Sequence, residues 1–91
     1  MEVTNVSIIK SDESVRNPII KAFAEIVLNN VFVIHSIKIV EQSGKYSITM
    51  PALKNKNGSV VEICYFTDKK LKTEVKNLIL EKYFKSLAEK N

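Results

Sequence analysis

The feature that most constrains this chain is a switch in hydrophobic period near residue 67. Upstream, apolar residues alternate. Ile20, Ala22, Ala24, Ile26 and Leu28 share one face of an extended segment, with Lys21 and Glu25 on the other. Downstream, Leu71, Val75, Leu78 and Ile79 fall at i, i+4, i+7 and i+8, the spacing of a buried helical stripe. A period of two followed by a period near 3.6 predicts strands first and a helix last. That is an α+β architecture with the helix laid on one sheet face.

The strands predicted from this pattern number five, in a mostly antiparallel meander over residues 1–66. Val3 to Ile9 is rich in β-branched residues, and the polar segment Lys10 to Asn17 follows it. Pro18 introduces Ile19 to Leu28, and Asn29-Asn30 is a two-residue turn, because Asn tolerates left-handed backbone angles. Val31 to Val40 comes next, with Val33, His35, Ile37 and Ile39 expected on one face. After the turn Gln42-Ser43-Gly44, Tyr46, Ile48 and Met50 alternate until Pro51, which cannot donate to a ladder. A basic loop, Lys54 to Gly58, leads to a fifth strand at Val60 to Phe66. Thr67-Asp68 caps a helical segment spanning residues 67–89. Its lower residues Leu80, Tyr83, Phe84 and Leu87 lie around the cylinder from the upper stripe. The helix therefore bends, breaks, or buries two faces.

The 91 residues make one domain, and 45% apolar with 26% charged residues is the composition of a globular protein. No apolar run reaches the roughly 18–20 residues that span a bilayer. Met1 to Asn5 has no positive, apolar leader pattern. A single cysteine, Cys64, forms no internal disulfide and builds no zinc site with a single histidine. A cytoplasmic protein without metal or other cofactor is expected. One helix covers one sheet face, yet Phe23 and Val27 place apolar groups on the other. A second copy of the chain is the simplest cover, so a homodimer is expected.

Catalytic patterns are absent from the sequence, and no enzyme or small-molecule substrate is expected. His35 has no nucleophile, acid or metal partner at a telling spacing, and it reads as a sheet histidine hydrogen-bonded in or near the core. Cys64 reads as a small packing residue. Charge is more informative. Residues 1–53 hold five basic and five acidic side chains, and residues 54–91 hold nine and five, so the whole net charge of +4 lies downstream. Lys69, Lys72 and Lys76 recur at i, i+3 and i+7, and Lys70 joins them in the first turn. Cations are disfavoured there by the helix dipole. Lys54 and Lys56 extend the cluster from the preceding loop, and Tyr65-Phe66 precede it as a stacking surface or as strand core. On the residues alone, nucleic-acid binding and an ordinary solvated helix face both stand.

Several segments, in order, resemble the SpoVG family of septation proteins. They are Met1-Glu2-Val3-Thr4-Asn5-Val6, then Phe32 to Val40 with its histidine, then Met50-Pro51 before a basic loop and Gly58, then Leu80-Glu81-Lys82-Tyr83. The resemblance covers Met1 to about Leu87. It implies a bacterial cytoplasmic dimer with a sheet and a C-terminal helix. It implies binding of DNA and, in some members, RNA, in the regulation of sporulation, septation, cell division and transcription. By the resemblance, the family's arginine in the basic segment corresponds to Lys72, the positions before it to Lys69 and Lys70, and its arginine after Met-Pro to Lys54. The chain departs at Tyr65-Phe66-Thr67, where the family has His-Pro-Ile, and at Asp68 to Leu71, where it has a Ser-rich turn. The family's acidic tail has no counterpart in these residues. Lysine at Lys72 lacks the planar fork that grips phosphate or guanine in two places, so phosphate contact is expected without base readout. A protein-interaction adaptor using the same basic surface is the alternative.

Overall fold

A computed structural model describes residues 1–9 and 18–89; the predicted polar segment Lys10 to Asn17 lies outside them. The order is β1 (Val3–Ile9), β2 (Ile20–Leu28), β3 (Phe32–Gln42), β4 (Lys45–Thr49), β5 (Ala52–Lys54), β6 (Val60–Glu62) and α1 (Lys69–Ala88). Strands β1 to β4 form an antiparallel meander, and β5 and β6 pair separately as a short ribbon. The α+β reading therefore holds. The fifth strand is shorter than expected and leaves the main sheet. Pro51 interrupts the chain after β4, and Val60 to Glu62 pairs back onto Ala52 to Lys54 alone. Residues Ile63 to Phe66 are not strand.

The alternation in β2 is carried through without exception. Ile20, Ala22, Ala24, Ile26 and Leu28 are all buried, and every residue between them is half-buried. Val6 and Ile8 of β1 oppose Ile26 and Ala24, and Ile39 and Ile37 of β3 oppose Ala22 and Ala24. Val75, Ile79 and Tyr83 of α1 close this surface into one core with Met50. The helix is unbroken from Lys69 to Ala88. Leu80 is half-buried against the core, whereas Leu78, Phe84 and Leu87 remain exposed. Phe84 and Tyr83 still meet the sheet through Tyr46, whose ring centroid lies 4.9 Å from Phe84 and 6.1 Å from Tyr83.

Strand β3 corrects the sequence reading. Ile34 is buried, while Val33 and His35 are exposed. The cause is a bulge: Ala24 pairs with Ile37 and Ile26 with Ile34, so Glu25 alone faces both His35 and Ser36. Ser36 absorbs the extra residue with φ of 63°, a left-handed angle. The slip reverses the faces, as a one-residue shift must. It also moves His35 out of the core expected for it.

The turns follow their side chains. Asn29 and Asn30 both take positive φ, 51° and 60°, though the loop includes Val31 as a third residue. Asn29 Oδ1 accepts from the Glu2 amide at 2.9 Å, and Thr4 Oγ1 accepts from the Asn30 amide at 2.9 Å. These bonds tie the start of the chain to the first hairpin. Ser43 and Gly44, at 55° and 81°, make the two-residue loop that suits strand twist.

Ile79→Ala should lower the unfolding free energy by about 2–5 kcal/mol, the cost of a core truncation. Leu78→Ala should cost clearly less in the same urea titration, because Leu78 is 37% exposed. Ser36→Gly should raise the melting temperature and Ser36→Val should lower it, since only glycine enters the left-handed region freely.

Candidate nucleic-acid interface

Helix α1 begins at a polar cap. Asp68 is extended, with φ of −86° and ψ of 116°, and its carboxylate accepts from the Lys70 amide at 3.0 Å. Its carbonyl takes the first helical bond, from the Lys72 amide at 3.0 Å. The first turn then holds Lys69 and Lys70 and no acidic residue. The helix dipole and both ammonium groups there carry the same sign.

Lys69, Lys70 and Lys72 are exposed and Lys76 is half-buried. At about 100° per residue, Lys69, Lys72 and Lys76 occupy a sector about 60° wide, and Lys70 stands about 100° from Lys69. Two ion pairs occur among the described residues: Lys21 with Glu41 at 3.7 Å, and His35 with Glu25 at 2.5 Å. Neither involves a helix lysine. Lys69, Lys72 and Lys76 thus share one face with no ion pair to any of them among the described residues, while Lys70 stands between the carboxylates Asp68 and Glu74 in sequence and lines the same cavity as both.

Lys54 and Lys56 belong to a different element from that group. Lys54 ends β5 and Lys56 lies in the loop that follows, both exposed on a ribbon whose strands pair only with each other. The loop is held by its own side chains, with Asn57 Oδ1 accepting from the Ser59 hydroxyl at 2.7 Å and the Ser59 amide at 3.1 Å. The two aromatics before the helix divide. Phe66 packs on the core, and Tyr65 is 65% exposed and available for stacking.

A cavity of about 600 Å³ opens beside the helix start. Leu28, Phe32, Ile34, Met50, Cys64 and Leu71 form its apolar wall, and Asp68, Lys70 and Glu74 also line it. Cys64 is half-buried there and packs against the core, as expected of it. The cavity could not be read from the sequence, because its wall draws on β2, β3, the segment before the helix and the helix itself. The Glu25–His35 pair was hidden by the bulge. Its one signal was the three-residue spacing of Ile34 and Ile37, which breaks alternation. Among the described residues, no group of three or more His, Cys, Asp and Glu side chains is placed to hold a metal ion. No helix among them is long and apolar enough to cross a membrane.

A family model described as SpoVG matches residues 1–85. The chain belongs to the SpoVG family. Relatives with names containing the words septation protein SpoVG include one from Acetivibrio thermocellus, 31% identical over 83 residues covering 91% of this chain and 85% of its own. Another, from Caldicellulosiruptor saccharolyticus, is 32% identical and covers 91% of each chain. A third, from Desulforudis audaxviator, matches to the same extent. The segments that carry the SpoVG resemblance are structural here. Phe32 to Val40 lies in the bulged strand, Met50-Pro51 joins sheet to ribbon, and Tyr83 is the last core residue of the helix.

The helix and sheet also share a titrating group. The Tyr83 phenol is held above its ordinary value of 10.0, first by burial and then by the nearby Tyr46 and Glu41. Its neutral form is favoured in the folded state, so the stabilisation is complete below pH 10 and is lost as pH rises through the raised value. Unfolding free energies measured from about pH 9 to about pH 11 should fall more steeply for the wild type than for Tyr83→Phe.

Proposed function

We propose that this protein is a nucleic-acid-binding regulator of the bacterial cytoplasm, acting as a homodimer by binding rather than catalysis. The observation that carries this reading is the cluster of lysines at the start of α1, none of which makes an ion pair among the described residues. Lys69, Lys70 and Lys72 are exposed at the positive end of a helix dipole, with no acidic residue in the first turn. Four like charges, counting Lys76, repel one another and gain nothing from the helix. A polyanion relieves that repulsion. Phosphate groups take up the ammonium charges, and displaced counterions drive association.

Lys54 and Lys56 add two further phosphate contacts from the ribbon, and Tyr65 offers one stacking face for an unpaired base. Lysine supplies point charges rather than planar forks, so the surface suits backbone contact more than base readout. The names of the relatives point to septation as the process served, and the family resemblance adds sporulation and transcription as the wider setting. The homodimer follows from apolar side chains that one chain leaves open. Phe23, Val27 and Val40 are only half-buried on the sheet face away from α1, and Val33 beside them is exposed.

The triple variant Lys69→Ala, Lys70→Ala, Lys72→Ala should keep the wild-type circular dichroism spectrum and bind duplex DNA more weakly across unrelated sequences. Its log–log salt dependence should flatten by about 0.9 for each phosphate that is no longer neutralised. Equal affinity of variant and wild type in a low-salt anisotropy titration would overturn the assignment. Partner capture that survives nuclease treatment would then favour the adaptor.

A further inference from the structure

The ribbon β5–β6 presents an apolar face that its own chain does not cover. Leu53 pairs with Val61, which puts both side chains on one face, and Ile63 follows directly after the ribbon. Leu53 is 64% exposed, Val61 52% and Ile63 61%. An isolated two-stranded ribbon is marginal in water, and a three-residue one more so. Exposed apolar clusters of this kind mark contact surfaces.

The same chain also carries an apolar receptor. The cavity beside the helix start is walled by Leu28, Phe32, Ile34, Met50, Cys64 and Leu71. A ribbon cannot fill the cavity of its own chain. Met50 and Cys64, the residues flanking its two roots, are part of the wall, and the Ile63 amide donates to the Pro51 carbonyl at 2.7 Å, closing the base. Folding the ribbon back would break that closure.

We infer that two copies exchange ribbons, each placing Leu53 and Val61 in the cavity of the other. A chain holding both donor and receptor satisfies both at once in a twofold pair, and the contact then closes without growing into a filament. Charge agrees. The ribbon tip carries Lys54 and Lys56, and the cavity lining includes two carboxylates to meet them, Asp68 and Glu74, along with Lys70 and Met1. The inference rests on the two-copy reading above and adds a consequence for the nucleic-acid surface. Lys54 and Lys56 of one copy come to the helix start of the other, beside its Lys69, Lys70 and Lys72. The basic surface is then composite, and each half of the dimer completes its partner's.

Two measurements on the full chain test this. Light scattering at micromolar concentration should give a dimer for the wild type and a monomer for Leu53→Lys with Val61→Lys, the helical circular dichroism being retained. In a second arm, Val61→Cys is oxidised with diamide. The new thiol should join the native Cys64 of another copy, giving a covalent dimer on a non-reducing gel, and Val61→Cys with Cys64→Ser should give none. A monomeric wild type would overturn both the two-copy reading and the exchange. A wild-type dimer that keeps its state with both lysines in place, and forms no disulfide through Cys64, would overturn the exchange alone.

Discussion

The fold depends on sealing the even-numbered side chains of β2 under α1. Ala24, Ile26, Val75 and Ile79 are fully enclosed, and each of the other elements of the main sheet adds to the same core. Burial of apolar area is the main favourable term in a domain this small. Here it also sets the geometry of the basic cluster. Val75, Ile79 and Tyr83 fix the rotation of the helix about its axis, and that rotation decides where Lys69, Lys72 and Lys76 stand. The charged surface is a by-product of a core register.

Much of this was legible because periodicity is a local signal. The alternation from Ile20 to Leu28 and the stripe through Val75 and Ile79 state directly which faces are buried. Asp68 announced the helix start, and Asn29, Asn30 and Gly44 announced turns through their tolerance of positive φ. What escaped was non-local. The bulge at Ser36 depends on how β3 aligns with β2, and two neighbouring registers look alike in β3 by itself. The one-residue slip exchanged Val33 for Ile34 and brought His35 to Glu25.

The ribbon escaped for a different reason. Val60 to Phe66 has the composition of a strand, and composition reports an ability to pair without naming the partner. Pro51 was read as a stop, which it is, but the chain resumes at once in Ala52 to Lys54 and supplies that partner. The lysines of the site were visible in the sequence as a set. Their division into a helix group and a ribbon group appeared only when the ribbon separated from the sheet.

The contact between α1 and β1 joins the last element of the chain to the first. Every other pairing in the main sheet links sequence neighbours across a short turn or segment, so the meander is assembled from cheap, local closures. The helix is the exception. The four strands precede it in the chain, so Ile26, Ile37 and Ile39 stay uncovered until α1 docks on them. A meander that pairs before its cover docks is, for that interval, an open apolar sheet.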